Sequence, residues 1–346
     1  RMTGVPSKSA YVSIAATHIL SQSSRGVVAV AKADGEIREQ DVDRAIEAAQ
    51  AVATPPNYEI LHVIPRSFTV DSQSGIKDPV GMTGIRLEVE AQIIQGLSAQ
   101  VKNITKSVYR TGVDIDDVVL APLAAAEASL NKRQKELGVC LVNIGGSTTS
   151  IAVFEEGDVL HTSILPVGST HITSDIAIGL RTSLETAELV KVRYGTALPD
   201  DIDKKEEIDL SEFGDSEEEV VSRRHVADII QARVEEIFQM ADGELKGIER
   251  SGKLPAGIVI TGGGAKLEGL VDIARKEFRL PASIGYPKEV SSAIDKVHDP
   301  TLSTAVGLVL WGDHLQQEGG AGMLSRFSSV HHGVGKMRSW FQSLGT

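Results

Sequence analysis

The stretch GVCLVNIGGSTTSIAVF, residues 138–154, decides how the middle of this chain folds. Two apolar runs flank a glycine pair, Gly145 and Gly146, and a run of hydroxyl residues, 147–149. This pattern predicts two buried strands that are joined by a tight turn. Adjacent glycines let a backbone approach a phosphate closely, and their N–H groups and the hydroxyls can donate to its oxygens. Taken alone, the stretch fits an ordinary glycine hairpin equally well.

A second glycine turn follows later, in GIVITGGGAKL, residues 257–267. An apolar strand runs into three glycines, and a helical pattern covers residues 267–278. A base or a phosphate can lie against bare backbone at such a helix N-terminus. Triple glycines also serve packing alone, but two such turns in one chain favour a nucleotide site. The strand-GxxxxGK[ST]-helix and GxGxxG loops of the commonest other nucleotide folds are absent from the sequence.

Length and composition bound the class of protein. A chain of 346 residues exceeds the size at which one hydrophobic core stops growing, so two or more domains are expected. The net charge of -12 and the lack of a basic stripe argue against nucleic acid as a partner. The single cysteine, Cys140, lies in an apolar run, which predicts a buried thiol in a reducing compartment. No apolar run is long enough to predict a transmembrane helix.

The beginning of the chain predicts a small mixed module. The first residue is Arg1, and residues 11–14 already resemble the middle of a strand, so we expect an N-terminally truncated fragment. Apolar residues at 42, 46 and 49 predict a helix, residues 59–64 and 68–71 predict a pair of strands, and residues 86–94 predict another strand.

An acidic stretch covers residues 200–219, with eleven acidic positions against two lysines. This density predicts a solvated loop or edge element with little core of its own.

Residues 138–149 resemble the phosphate-2 hairpin of the actin, Hsp70 and sugar-kinase superfamily, and residues 257–265 resemble its adenosine motif. Three further stretches resemble the bacterial FtsA cell-division family: HVIPR (62–66), GIKDPVGMTGIR (75–86) and SDIAIGLRT (174–182). The second of them lies outside the nucleotide motifs. The resemblance extends from about residue 9 to residue 311.

The resemblance implies an α/β, actin-like (RNase H-like) bilobal ATPase fold with an inserted subdomain of the FtsA type, called 1C. The implied divisions are 1–20 as a remnant of subdomain 1A, 21–95 as the SHS2-like subdomain 1C, 96–137 as 1A, 138–180 as 2A, 181–245 as 2B, 246–300 as 2A, 301–316 as a return to 1A, 317–335 as a flexible linker, and 336–346 as an amphipathic membrane helix.

The resemblance also implies ATP and Mg²⁺ in the cleft between the lobes. The residues expected to hold phosphates are Asn143, Gly145, Gly146, Ser147 and Thr148, and those expected to face the adenosine are Gly262, Gly263 and Gly264. Glu188 and Lys191 would reach the ribose or base from the second lobe. The alternative for that pair is a solvated helical salt bridge worth about a few tenths of a kcal/mol.

Two residues depart from the family pattern. Asn143 stands where the family usually has aspartate, and Ser147 stands where it has a third glycine. A neutral amide cannot contribute the charge that helps to hold the cation's waters and to orient the attacking one. We therefore expect weak or absent ATPase activity with retained binding. The phosphate-1 motif of the family lies outside this sequence.

The C-terminal segment has an apolar stripe on a short helical pattern, formed by Met337, Trp340, Phe341 and Leu344. Lys336 and Arg338 flank the stripe, and no acidic residue follows Glu318. Such a stripe behind a glycine-rich tether predicts a helix in the membrane interface. The alternative is a helix docked on the body of the protein.

For function, the resemblance implies a peripheral protein at the cytoplasmic face of the bacterial inner membrane, at the division septum. It would form actin-like filaments with itself, bind membrane lipid through its C-terminal helix, and contact other divisome proteins. It would anchor the tubulin-like ring protein FtsZ, whose C-terminal peptide would dock on subdomain 2B, near the acidic stretch and the helix with Arg233. The alternatives on the same fold are a pilus-assembly ATPase, a sugar kinase and an Hsp70-like chaperone.

Overall fold

A computed structural model describes residues 8–31, 34–213, 220–288 and 295–317. The predicted membrane helix, with Lys336, Met337, Arg338, Trp340, Phe341 and Leu344, lies outside the described residues. So do nearly all of the predicted linker and residues 214–219 of the acidic stretch.

In chain order, the strands and helices of the described residues are β1 (Ser9–Ile14), β2 (Leu20–Ala29), α1 (Glu39–Ala53), β3 (Tyr58–Val70), β4 (Gln73–Ile76), β5 (Arg86–Leu97), α2 (Ser98–Tyr109), β6 (Asp114–Leu120), α3 (Ala121–Ser129), α4 (Lys132–Leu137), β7 (Val139–Ile144), β8 (Thr149–Glu155), β9 (Asp158–Leu165), α5 (Ser169–Leu180), α6 (Leu184–Tyr194), β10 (Glu207–Asp209), β11 (Val220–Ser222), α7 (Arg223–Gly247), β12 (Ile258–Thr261), α8 (Leu270–Phe278), β13 (Ala282–Ile284) and α9 (Ser303–Gln317). Short 3-10 turns lie at Pro199–Asp201, Leu210–Phe213, Gly263–Lys266, Asp295–His298 and Pro300–Leu302.

The chain begins with β1, which pairs in parallel with β6. Between these two strands in sequence lies an antiparallel sheet with the order β2-β5-β3-β4, and α1 packs on it. We call residues 20–97 the four-stranded unit. Val42, Ile46 and Ala49 of α1 are buried in its core, which confirms the helical pattern predicted there. The unit therefore has a hydrophobic cluster of its own.

The predicted pair of short strands at residues 59–64 and 68–71 is wrong. Strand β3 runs without a break from Tyr58 to Val70 and pairs with β5 along its length. Its register shifts between Pro65 and Ser67, and such an irregularity accommodates a residue that has no N–H for the ladder. The proline in HVIPR thus marks a bulge inside one long strand.

A second sheet, with the order β13-β12-β7-β8-β9, forms the centre of the remaining chain. Strands β7, β12 and β13 are parallel, whereas β7, β8 and β9 form an antiparallel meander. Cys140 and Val142 face a core shared with α5, α7 and α8, while Val139 and Leu141 face a core shared with α3 and α9. The alternation of strand side chains explains why the apolar run is continuous, since both faces of the sheet are covered. Burial of Cys140 is confirmed, and it raises the pKa of the thiol.

Helices α3 and α9 lie between the two-stranded and five-stranded sheets. A Cβ atom at Gly307 of α9 would be 1.7 Å from the carbonyl oxygen of Ala124 in α3, so the two backbones are in direct contact. Among the described residues the chain passes from β6 to β7 through α3 and α4, and it returns to β1 with α9. These two helices therefore lie where residues 8–130, which we call the first lobe, meet residues 139–288, which we call the second lobe.

The acidic stretch differs in part from its prediction. Ile208 and Leu210 are buried in the core of the second lobe, and β10 pairs with β11. The expectation of little core is therefore wrong for these residues, because two apolar side chains among the carboxylates reach the interior.

Candidate functional site

The two glycine turns lie side by side. Strands β7 and β12 are parallel neighbours, and Thr261 at the end of β12 pairs with Asn143 near the end of β7. A Cβ atom at Gly262 would be 2.4 Å from Asn143 Oδ1 and 2.5 Å from the carbonyl oxygen of Ile144. The structure thus brings together two motifs that are far apart in sequence, at the carboxyl edge of the sheet, where ligands of open α/β sheets bind.

The tip of the β7–β8 hairpin is held by the start of α5. The N–H of Gly145 donates to the carbonyl of Thr148 at 2.9 Å, which closes the turn. The carbonyls of Gly145 and Gly146 accept from the N–H groups of Ser169 and Thr170, each at 2.9 Å, and the Thr170 hydroxyl also lies 2.8 Å from the Gly146 oxygen. The first N–H groups of α5 are thus used to fix the hairpin.

The predicted site glycines are of two kinds. Gly262 has φ +88°, and a Cβ atom at Gly264 would be 2.4 Å from Ile144 Cγ2, so both are required for packing. Gly146 and Gly263 are exposed, and the nearest atoms to a Cβ there would be threonine methyls at 3.7 and 3.9 Å. A methyl group would therefore fit at Gly146 and Gly263 in ordinary van der Waals contact, and these two exposed positions offer bare backbone to a ligand.

The start of α9 is bonded to both turns. Asn143 Nδ2 donates to Thr304 Oγ1 at 3.3 Å. The hydroxyls of Thr261 and Ser303 are 2.6 Å apart in a buried position, and the N–H of Gly262 donates to the carbonyl of Pro300 at 3.1 Å. Sequence reasoning missed Ser303 and Thr304. The only local signal was a pair of hydroxyl residues at the start of the last apolar helix.

A cleft of about 750 Å³ opens beside the second turn. Its lining comprises Ala265, Lys266, Tyr286, His298, Asp299, Pro300, Thr301 and Leu302. Lys266 Nζ lies 2.6 Å from Asp299 Oδ2, and this hydrogen bond, together with those from Thr301, lowers the pKa of Asp299 to about 2. Tyr286 is 47% exposed. Sequence analysis did not identify the Lys266–Asp299 pair, because no motif relates positions that are distant in the chain.

Glu188 and Lys191 form a bonded cluster with α5. Lys191 Nζ lies 2.6 Å from Glu188 Oε2, 2.7 Å from Thr173 Oγ1 and 3.2 Å from the Ser169 carbonyl. Its side chain is only 10% exposed, against 48% for Glu188. Burial by itself would raise the pKa of Glu188, but the hydrogen bonds from Lys191 and Thr173 outweigh it and lower that pKa. Since Ser169 also holds Gly145, Lys191 is linked to the hairpin and is not a solvated partner.

Arg233 of α7 is occupied within the chain. Its guanidinium binds Asp175 of α5 through Nε and Nη2, and it binds Glu236 through Nη1. These contacts raise the pKa of Arg233. Large apolar side chains are instead exposed nearby, with Ile178 of α5 at 77% and Val192 of α6 at 74%.

In the described part of the chain, no three histidine, cysteine, aspartate or glutamate side chains converge to hold a metal ion. Asn143, at the position where the family pattern usually has aspartate, carries a neutral amide. Of the helices described, none combines the length and the apolar character needed to cross a bilayer.

Two family models match the chain. The model described as "Cell division protein FtsA" matches residues 140–307, and the "SHS2 domain inserted in FTSA" matches residues 16–95. The cell division protein FtsA of Pseudomonas aeruginosa is 40% identical over 92% of this chain and 76% of its own length. FtsA of Bacillus subtilis is 40% identical over 89% of this chain and 69% of its own length. FtsA of Escherichia coli is 33% identical over 96% of this chain and 81% of its own length.

Two solved structures share the architecture. The structure titled as the PilM-PilN type IV pilus biogenesis complex has a TM-score of 0.62 at 17% identity, and covers 88% of this chain and 80% of that chain. MreB 5 of Spiroplasma citri bound to AMPPNP has a TM-score of 0.51 at 18% identity, and covers 64% of this chain and 66% of that chain. At such identities the likeness is one of fold. The α/β, actin-like fold expected from the sequence is confirmed.

Proposed function

Because this chain belongs to the FtsA family of cell division proteins, we propose that it binds ATP at its two glycine turns and anchors the FtsZ ring to the cytoplasmic membrane. The observation that carries the proposal is the juxtaposition of the two turns, with exposed backbone at Gly146 and Gly263. A nucleotide can approach bare backbone at both positions at once.

The phosphates would lie along the hairpin tip. Gly146 and Ser147 are exposed there and Thr148 is partly exposed, so N–H and hydroxyl donors face solvent. Glycine-rich backbone of this kind forms anion-binding concavities. Asn143 and Gly145 would act at the rear of the tip, where Asn143 bonds to Thr304 and Gly145 closes the turn.

The adenosine would lie beyond the second turn. Gly263 presents open backbone, while Gly262 and Gly264 keep the turn packed against Ile144. The adjoining cleft, with the Tyr286 ring and the Lys266 side chain, has the mixed apolar and polar lining that suits a base. Of the pair on α6, Glu188 is the residue left exposed to accept from a ribose hydroxyl, because Lys191 is engaged by α5.

Mg²⁺ would accompany ATP. The described residues contain no cluster of carboxylates for it, so we propose that phosphate oxygens and water supply its ligands. Asn143 carries no charge with which to orient a water molecule, and we therefore propose slow hydrolysis or none. ATP would then act mainly as a ligand that holds the lobes together.

Assembly would take place through protein surfaces. We propose the four-stranded unit as subdomain 1C and residues 181–245 as subdomain 2B, with actin-like filaments formed by the chain itself and further divisome proteins as partners. The FtsZ C-terminal peptide would use the exposed apolar residues of α5 and α6 in preference to Arg233, whose guanidinium is already paired.

Membrane attachment would use residues 336–346, which lie outside the described residues. A helix with so few apolar side chains binds a bilayer weakly, and filament formation would supply the multivalency that it needs. We propose a peripheral position at the cytoplasmic face of the inner membrane, at the septum.

Co-sedimentation with anionic liposomes, with and without ATP, tests this function. The double variant Trp340→Ala/Phe341→Ala should abolish pelleting that ATP enhances in the wild type. Phe327→Ala, which removes an aromatic side chain from the predicted linker, is the matched control and should pellet as the wild type does. Equal pelleting of the double variant and the wild type would contradict the membrane anchor.

A further inference from the structure

The four-stranded unit is seated on both helices that connect the lobes. His62 of β3 is 1% exposed, and its Nε2 accepts from the N–H of Leu120 at 2.9 Å. Leu120 is the residue that precedes α3. The His62 ring also packs edge-on against Trp311 of α9, with centroids 5.8 Å apart. This contact therefore lies where the two connecting helices meet the unit.

The same unit also packs along β9 of the second lobe through β2, β3 and β5, and one ion pair lies at the start of that strand. Lys77, directly after β4, binds the carboxylate of Asp158 at the start of β9, and its ammonium lies 3.4 Å from the carbonyl oxygen of Glu156. Asp158 is 17% exposed, whereas Lys77 is 47% exposed. Burial raises the pKa of Asp158, although Lys77 and Arg66 both act to lower it. The Asp158 carboxylate is thus mostly buried, and Lys77 of the four-stranded unit supplies the cation beside it.

The turn that carries Asp158 is fixed to its surroundings. Glu156 and Gly157 both have positive φ, and their N–H groups donate to the carbonyls of Glu136 and Lys135 in α4. From this turn β8 runs directly to the phosphate hairpin, over a length of about 23 Å at the usual rise per residue. A rigid strand therefore joins the Lys77 contact to the nucleotide turns.

We propose that the Lys77–Asp158 pair is a latch that links the orientation of the four-stranded unit to the nucleotide state of the site. The inference rests on the proposed binding of ATP. His62 holds the unit at the connecting helices, where a change in the angle between the lobes moves atoms least. Lys77 contacts the second lobe at the start of β9, along which the unit packs, so the same change would shift the unit on β9 and separate or join Lys77 and Asp158.

Carbodiimide coupling measures this contact without any mutation, because it condenses a lysine with a touching carboxylate into an amide, while the carbodiimide takes up the water as a urea. The yield of the Lys77–Asp158 cross-link is measured by peptide mass spectrometry, without nucleotide and with ATP. The Lys276–Glu235 pair, at 3.0 Å between α8 and α7, is the internal control because both partners belong to the second lobe. We expect ATP to change the ratio of the two yields at least threefold.

Binding of a fluorescent ATP analogue is recorded on the same samples. Binding with an unchanged yield ratio would overturn the latch and leave the proposed function standing. Absence of binding would overturn the proposed ATP site, and the latch with it.

A charge exchange supplies a second measurement. Lys77→Asp should raise amide hydrogen exchange in residues 77–84 several-fold in the nucleotide state that gives the higher cross-link yield, and the double variant Lys77→Asp/Asp158→Lys should restore the wild-type rate in that state. Equal exchange in the wild type and in Lys77→Asp would overturn the proposal.

Discussion

The side-chain amide of Asn143 lies 3.3 Å from the hydroxyl of Thr304, and this bond ties the β7–β8 hairpin to the first turn of α9. The same turn of α9 holds the second glycine turn through Ser303. Further along, α9 contacts α3 at Gly307 and the four-stranded unit at Trp311. One helix, α9, thus contacts the two glycine turns, α3 and the four-stranded unit.

Asn143→Asp should increase ATP hydrolysis. The Thr304 hydroxyl can donate to the new carboxylate, so the hairpin should keep its position, and the added charge can orient an attacking water. We expect the rate of phosphate release to rise by about tenfold or more, within the range attributed to a positioned acid or base. Asn143→Ala, which loses the bond to Thr304 and gains no charge, should not show this increase. Equal rates for the aspartate variant and the wild type would contradict the role assigned to position 143.

Alanine substitutions should separate the two kinds of glycine. Gly146→Ala has room for its methyl group and should melt within about a degree of the wild type, yet it should weaken ATP binding at least tenfold because the methyl fills ligand space. In Gly262→Ala the new methyl group would clash with Asn143 Oδ1, and alanine would have to adopt a positive φ. This variant should therefore be less stable by about 2 kcal/mol or more. Thermal melting and nucleotide titration of both variants check this. A strongly destabilised Gly146→Ala would show that Gly146 has no room for a methyl group.

The local sequence pattern was sufficient to predict the two glycine turns and the strands that lead into them. It was not sufficient to predict the side chains that hold these turns in place. The buried strands and the turn at residues 138–154 could be predicted from that run alone, because apolar patterns and glycine pairs are local signals of strands and turns. Contacts such as Lys266–Asp299 depend on how distant segments pack, and no local periodicity encodes them. The error at β3 has the same origin. Pro65 ends a strand by propensity, whereas pairing with β5 carries the strand through it.

Variants of the α6 pair should have different effects on stability and on binding. Lys191→Met removes hydrogen bonds to Thr173 and to the Ser169 carbonyl in a mostly buried position, and should lower stability by about 1–3 kcal/mol. Glu188→Gln keeps the size and the acceptor for Thr173 but loses the charge that Lys191 stabilises, so its melting temperature should fall only slightly while ATP affinity falls severalfold. Glu185→Gln, an exposed change on the same helix, is the control for both. Unchanged affinity in Glu188→Gln would argue against a contact with the ribose.

Acid should remove the contribution of Asp299 to stability. The pKa of this carboxyl is lowered from an ordinary value near 3.8 to about 2, first by the hydrogen bond from Lys266 and then by those from Thr301. A lowered folded-state pKa means that the stabilisation is complete above the unfolded-state value and is lost as the pH falls from about 4 to about 2. Asp299→Asn should therefore be less stable than the wild type at pH 6, and the difference between their free energies of unfolding should be smaller at pH 2.5. Urea unfolding of both proteins at the two pH values, followed by tryptophan fluorescence, measures this difference.

In the Lys266→Met background, Asp299→Asn should lower the stability by less than it does in the wild type, because without the ammonium the carboxyl returns towards its ordinary pKa. A difference between the wild type and Asp299→Asn that stays constant with pH would show that the Lys266–Asp299 pair does not stabilise the edge of the cleft.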